Sequence, residues 1–356
     1  MSKPDPLVIV LGAGASKEVG LPIGSELTKS IAESLNFKVD DFRHLAGGDD
    51  QIRECTYKLG QDKRDANGSV NDYYQAALKI RDSMQLAPSI DNFIDSHRVD
   101  TKIAQMGKLA IAACILKAEK KSTLYVDRSN SYNKPNFTKL KETWFAELFS
   151  LFSQHCVSEE LEERLSRLTI ISFNYDRCFK FFLRYALLTY YSISPTEADR
   201  IASKVTVLHP YGSVGDLRFD SGGQGIEYGG QPASHELLRS ADTIRTFTES
   251  TDDDETTAVR ECIANAKTLV YLGFAFHPLN IKLLYGPASP PANSRDCDVF
   301  ATAMGISDSN RSLIADDLAR MGGYPNPRVH LHHHLTAGGL IAEYSRHLAR
   351  SLHSAV

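Results

Sequence analysis

The opening of the chain constrains it most. Leu7-Val-Ile-Val-Leu11 runs directly into Gly12-Ala-Gly14-Ala-Ser16, and apolar residues then recur at helical spacing, at Leu27, Ile31 and Leu35. An unbroken apolar run rich in β-branched residues suits a strand covered on both faces, the environment of a parallel sheet. Parallel strands need a crossover, usually a helix, and strand, glycine-rich turn and helix in succession is how such a crossover begins. The expected fold class is α/β: a Rossmann-like parallel sheet with helices on both faces.

The pattern returns in the second half. Leu168-Thr-Ile-Ile-Ser-Phe173 reads as a buried strand ending at Asn174-Tyr175-Asp176, with a helix over 176–191. Residues 204–208 form a strand ending at His209-Pro-Tyr-Gly212-Ser213, and 267–272 one ending at Gly273-Phe274-Ala-Phe276. Late strands are expected at 298–303 and 328–332, and a closing helix at 337–352. Residues 36–159 differ in character, being polar and helical without clear buried strands. Ser89 after Pro88 reads as an N-cap, 102–120 as a helix, and 138–155 as an amphipathic helix carrying Trp144, the one tryptophan. Residues 1–35 and 160–356 are therefore expected to form the core and 36–159 a helical insertion. Residues 221–231 are glycine-rich. The run Thr-Asp-Asp-Asp-Glu at 251–255 reads as a solvated loop.

Composition removes several classes. At 356 residues the chain can bury a large core without staples. Forty basic and 44 acidic residues give a formal charge of −4, which argues against direct nucleic-acid binding by bulk charge. The six cysteines are scattered and form no C-x-x-C pair, so no metal site is expected. His332-His333-His334 cannot converge on one ion from a strand, because neighbours there point to opposite faces. No segment reads as a secretory leader, and none approaches the ~20 apolar residues of a membrane span. A cytoplasmic protein with free thiols, away from membranes, is expected.

In open parallel sheets ligands bind beyond the carboxyl ends of the strands, so the four strand ends are the candidate site. The first loop could bring backbone N–H groups and a helix N-terminus to a pyrophosphate, or be only a turn for strand–helix packing. Asn174 could orient a water or hydroxyl and Asp176 accept from a carboxamide or ribose hydroxyl; alternatively both cap the next helix. His209 could act as a general base or be a hydrogen-bonded structural histidine. Gly273 would allow close backbone approach and Asn280 could bond ribose or adenine; the alternative is an ordinary turn with Phe274 and Phe276 in the core.

Together and in this order, Gly12-Ala-Gly-Ala-Ser16 with Gly20-Leu-Pro22, Asn174-Tyr-Asp176, Leu208-His209-Pro-Tyr-Gly212 and Gly273-Phe274 resemble the sirtuin family, over about residues 7–35 and 165–280. The resemblance implies that NAD is bound as a substrate. Gly12, Ala13, Gly14, Ser16 and Pro22 would hold the pyrophosphate side, and Asn174 and Asp176 the nicotinamide end. His209 would be the base, with Gly212 in its loop, and Gly273, Phe274 and Asn280 would meet the adenosine half. The chain departs from deacylating sirtuins in lacking their paired C-x-x-C zinc module, and Pro-Tyr stands between His209 and Gly212. The Ser89-Ile-Asp91-Asn-Phe93 segment and the insertion are similar instead to sirtuin-like NAD hydrolases of bacterial antiphage systems. That implies an NAD glycohydrolase with Asn174 and His209 as catalytic residues, acting in abortive infection. It also implies a homo-oligomer and a separate activating partner, an ATPase of the HerA type or an Argonaute-like protein. The alternatives are an NAD or ADP-ribose sensor subunit and a zinc-free deacylase or ADP-ribosyltransferase. A generic dehydrogenase is disfavoured, because the acidic residue due about 20 positions past the glycine loop would be Glu33, inside an apparent helix.

Overall fold

The computed structural model describes residues 6–39, 45–61, 69–127, 129, 133–220, 222–250, 254–286, 296–323 and 328–352. Within them the apolar runs become a six-stranded parallel sheet: β1 (Leu7–Leu11), β2 (Leu168–Ser172), β3 (Thr206–Leu208), β4 (Thr268–Leu272), β5 (Asp298–Thr302) and β6 (Val329–His332). The spatial order is β3-β2-β1-β4-β5-β6, and every neighbouring pair is parallel. β1 is central, in register with β2 from Leu7↔Leu168 to Leu11↔Ser172 and with β4 from Leu7↔Thr268 to Leu11↔Leu272. The order reverses between β1 and β4, which makes their carboxyl ends the topological switch point of a doubly wound sheet.

Successive strand side chains face opposite ways, and two separate cores follow. Val8, Val10, Ile171, Leu269, Tyr271 and Val299 join one apolar cluster; Leu7, Ile9, Leu11, Ile170, Val270 and Phe300 join the other. The first lies under helices α2 (Gly24–Ser34), α3 (Asp50–Gly60), α4 (Val70–Ser83), α5 (Ile90–Ser96) and α6 (Thr101–Lys121). The second lies under α7 (Trp144–Ser153), α8 (Leu161–Leu165), α9 (Cys178–Tyr190) and α10 (Pro195–Ala202). Most of the helices between β1 and β2 thus share one core with the sheet: Ile80, Ile94, Met106 and Leu109 pack in the same cluster as Val8 and Val10.

The expected helices mostly form, with boundaries set by local bonds. Ser89 caps α5 by accepting from Asn92 N–H at 3.1 Å. The single helix expected over 138–155 is instead a 3₁₀ turn at Phe137–Leu140 and then α7, because the Glu18 carboxylate accepts the Trp144 N–H at 2.8 Å and caps a fresh start there. The helix after β2 begins at Cys178 and not at residue 176, since Asp176 accepts the Cys178 N–H at 3.0 Å. The closing helix is broken at Tyr344 into Ala337–Glu343 and Ser345–Leu352. Of the glycine-rich and acidic stretches, residues 221 and 251–253 lie outside the described residues. The acidic run does not read through as a solvated loop: Asp254 and Glu255 open a helix, Asp254–Asn265, that runs to the foot of β4.

Candidate functional site

The switch point is built by two glycine turns that interlock. Gly12 N–H donates to Leu272 O at 2.9 Å and Gly14 N–H to Gly273 O at 3.0 Å. Gly273 has φ +58°, and a Cβ there would stand 2.0 Å from Ala15 N; one on Gly12 would stand 2.5 Å from Gly273 O. No other residue fits this contact, since both conformation and space forbid a side chain. These glycines are therefore accounted for by backbone packing, and the Gly14 amide is already bonded within the protein. The helix that follows, Ala13–Lys17 (α1), is anchored at its middle and at its C-terminal end: Trp144 Nε1 donates to Ala15 O at 3.1 Å, and Glu18 accepts from Trp144 and Gly338 N–H groups.

Asn174 crosses from the end of β2 to this loop. Its side-chain nitrogen donates to Gly12 O at 3.0 Å and to Ser16 Oγ at 2.9 Å. The Asp176 carboxyl lies in the same cavity lining as Ser16, and burial pushes its pKa up against the opposing pull of its Cys178 and Ser16 neighbours. From the end of β3 the His209 ring closes the chain of bonds: its Nδ1 lies 3.2 Å from Asn174 O. A carbonyl can only accept, so Nδ1 carries the proton and the neutral ring presents Nε2 as its basic atom. Burial lowers the His209 pKa to about 4, and the charge of Lys180 adds to this. The ring is uncharged at neutral pH. Ser16, Asp176, Lys180 and His209 line one cavity with Trp144, Phe145 and Phe179. Its volume is about 10 Å³, room for a single water at most.

The opposite face of the same strand ends carries two further polar pairs. Tyr175, between Asn174 and Asp176, donates from its hydroxyl to Asp91 of α5, and burial holds the pKa of that carboxyl up. Tyr211 donates to Asn280 Oδ1 at 2.6 Å. Asn280 stands in the first turn of the helix Pro278–Tyr285.

The residues singled out in the sequence thus do not all meet. Gly12, Ala13, Gly14, Ser16, Asn174, Asp176 and His209 meet within hydrogen-bonding reach or within one loop. Asn280 lies on the other side of the strand ends, tied through Tyr211. Phe274 is 3% exposed and packs edge-on to Phe173 and Phe276, inside an aromatic core; only its backbone faces the first loop. Gly212 has φ +69° and turns the chain against Thr243. Pro22 precedes α2 at the end of the first loop. Sequence reasoning missed Glu255, whose Oε1 accepts the His209 N–H at 2.7 Å while Oε2 accepts from Arg245 at 3.0 Å. It also missed Arg177, which pairs with the fully buried Glu119 of α6 and donates to the carbonyls of Asp216 and Ile226. A charged residue directly after Asn-Tyr-Asp, at the head of a helix with a wide apolar face, was the available signal for Arg177.

Among the described residues no group of His, Cys, Asp and Glu side chains could hold a metal ion, and no helix is long and apolar enough to cross a membrane. No protein-family model matches the chain, and no curated protein matches it in sequence. Among solved structures it is similar to one described as the crystal structure of a Sir2 homolog–NAD complex, at 12% identity and a TM-score of 0.38, over 98% of this chain and 90% of that one.

Proposed function

We propose that the protein is an NAD glycohydrolase that cleaves the nicotinamide–ribose bond with water to give nicotinamide, ADP-ribose and a proton. The observation that carries this is the set of bonds joining Ser16, Asn174 and His209, with Asp176 in the same cavity, which runs across the ends of β2 and β3 from the first glycine loop at the switch point of the sheet, where dinucleotides bind in folds of this order. The nicotinamide leaves as a neutral molecule from a cationic ring, so no general acid is required. The protein's tasks are to hold the ribose and to present water. With its amide nitrogen bonded to the first loop, Asn174 offers its side-chain oxygen to a water or a ribose hydroxyl. His209 Nε2 takes the proton of the attacking water. Asp176 bonds the carboxamide. Positioning and base catalysis of this kind supply several orders of magnitude in rate.

The cavity lined by Ser16, Asp176 and His209 has room for a single water at most, so the dinucleotide enters only when its walls part. Such a cavity fits a resting form that must open before it acts. In this proposal what opens it is homo-oligomerisation and a separate activating partner of the HerA ATPase or Argonaute-like kind, and the setting is a bacterial defence that depletes NAD in the cytoplasm. A second reading is favoured by the same narrow cavity: a subunit that binds NAD or ADP-ribose and signals without turnover. Chromatography of NAD incubated with the purified chain, alone and with candidate partners, separates the two. Release of nicotinamide and ADP-ribose that is lost in Asn174→Ala and in His209→Ala is expected. Full activity in both variants refutes the assignment, and stoichiometric binding without products selects the second reading.

A further inference from the structure

We propose that Glu255 is the positioning residue of the His209 loop, fixing where the imidazole stands without itself touching substrate; the proposal rests on His209 being the base. β3 is only three residues long and lies at the edge of the sheet, so the ladder ends at Leu208 and leaves the following loop to find other supports. Pro210 has no N–H to offer. The His209 N–H is satisfied by a single group, the Glu255 carboxylate at 2.7 Å. The other oxygen of that carboxylate accepts from Arg245 at 3.0 Å, and the Arg245 backbone N–H in turn donates to Tyr211 O at 2.9 Å. Glu255 and Arg245 thus grip the loop on both sides of Pro210.

The loop closes on itself through Gly212 N–H to His209 O at 2.7 Å, and Gly212 packs so tightly that a Cβ would lie 1.9 Å from Thr243 O. On the far side the ring meets Asn174 O. The imidazole is therefore set between two acceptors: a backbone carbonyl that selects its tautomer and a carboxylate that holds its backbone. The Glu255 and Arg245 side chains are 26% and 39% exposed. The ion pair, being partly exposed, contributes little to folding stability by itself; what a substitution at Glu255 removes is the acceptor of the His209 N–H, so its effect falls on the geometry of the loop, and the variants are expected to fold.

The test uses the full chain with ¹⁵N-labelled histidine, the His209 ring signals being assigned by their loss in His209→Gln. In Glu255→Ala those signals are expected to leave the Nδ1–H pattern for a mixture of tautomers. NAD hydrolysis should show kcat reduced between about 10- and 100-fold with KM within about twofold. Glu255→Gln, whose amide oxygen accepts the same N–H, should restore most of both. Ring signals and kcat unchanged in Glu255→Ala overturn the proposal. If the wild-type chain does not hydrolyse NAD under any condition, the assignment of His209 as base fails, and the ring signals alone decide whether Glu255 positions it. Should Glu255→Ala unfold, Arg245→Gln is expected to move the ring signals the same way to a smaller extent, and no movement there also overturns it.

Discussion

The depressed pKa of His209 makes a quantitative claim on stability. In the folded chain the ring titrates at about 4, burial being the main cause; in the unfolded chain a histidine titrates near ~6.5. Between these values the unfolded chain binds a proton that the native chain refuses, so stability must fall as pH drops from ~6.5 towards ~4. Above ~6.5 neither form is protonated and the effect is absent. A gap of about 2.5 pH units corresponds to a loss of about 3 kcal/mol once the pH is below 4. Asp176, Asp91 and Glu18 oppose this, because burial raises their pKa values and acid therefore favours their native state. The total curve cannot isolate His209, but a difference can. His209→Asn keeps an N–H to give to the Asn174 carbonyl and cannot titrate in this range. Urea unfolding of both proteins at half-unit steps from pH 7.5 to 4 should show the wild type losing about 3 kcal/mol relative to the variant, nearly all of it below pH 6.5. A difference that stays flat across that range refutes the lowered pKa of the ring, and with it the neutral imidazole that the mechanism uses.

Two other sites are open to direct test. Gly273→Ala places a methyl 2.0 Å from Ala15 N at a φ of +58°, so left-handed strain and overpacking together should cost about 3 kcal/mol or more in chemical denaturation; a loss below about 1 kcal/mol would show that the two glycine turns do not interlock as described. Glu119→Ala leaves the buried Arg177 guanidinium without its carboxylate and should cost about 3–5 kcal/mol, whereas replacing both residues together by apolar ones of similar volume should cost much less, as a double-mutant cycle will read.

How much of this was legible in the sequence depended on the range of the interaction. β1, β2 and β4 announce themselves because a doubly covered strand must be mainly apolar, which β1 is at all five positions and β2 and β4 are at most of theirs. Ser89 as a cap is equally local. The helix expected over 138–155 failed for the opposite reason: its true start at Trp144 is fixed by Glu18, 126 positions away. Glu255 looked like one more charge in an acidic run, and nothing within its own neighbourhood marks the N–H it serves, 46 positions earlier. Phe274 was a candidate for the adenosine half and for the core alike; only its neighbours Phe173 and Phe276 assign the side chain to the core.

Residue order alone determined the class of the protein: buried strands that end in glycine, asparagine, aspartate and histidine can be accommodated by a parallel sheet and by little else, because apolar runs must be covered and their polar ends must not. Tertiary structure alone decided which of those ends became a site. Strand order brought the ends of β1, β2 and β3 side by side, alternation of side chains sent Asn174 and Asp176 to one face and Tyr175 to the other, and only in three dimensions does a histidine find the carbonyl that fixes its proton.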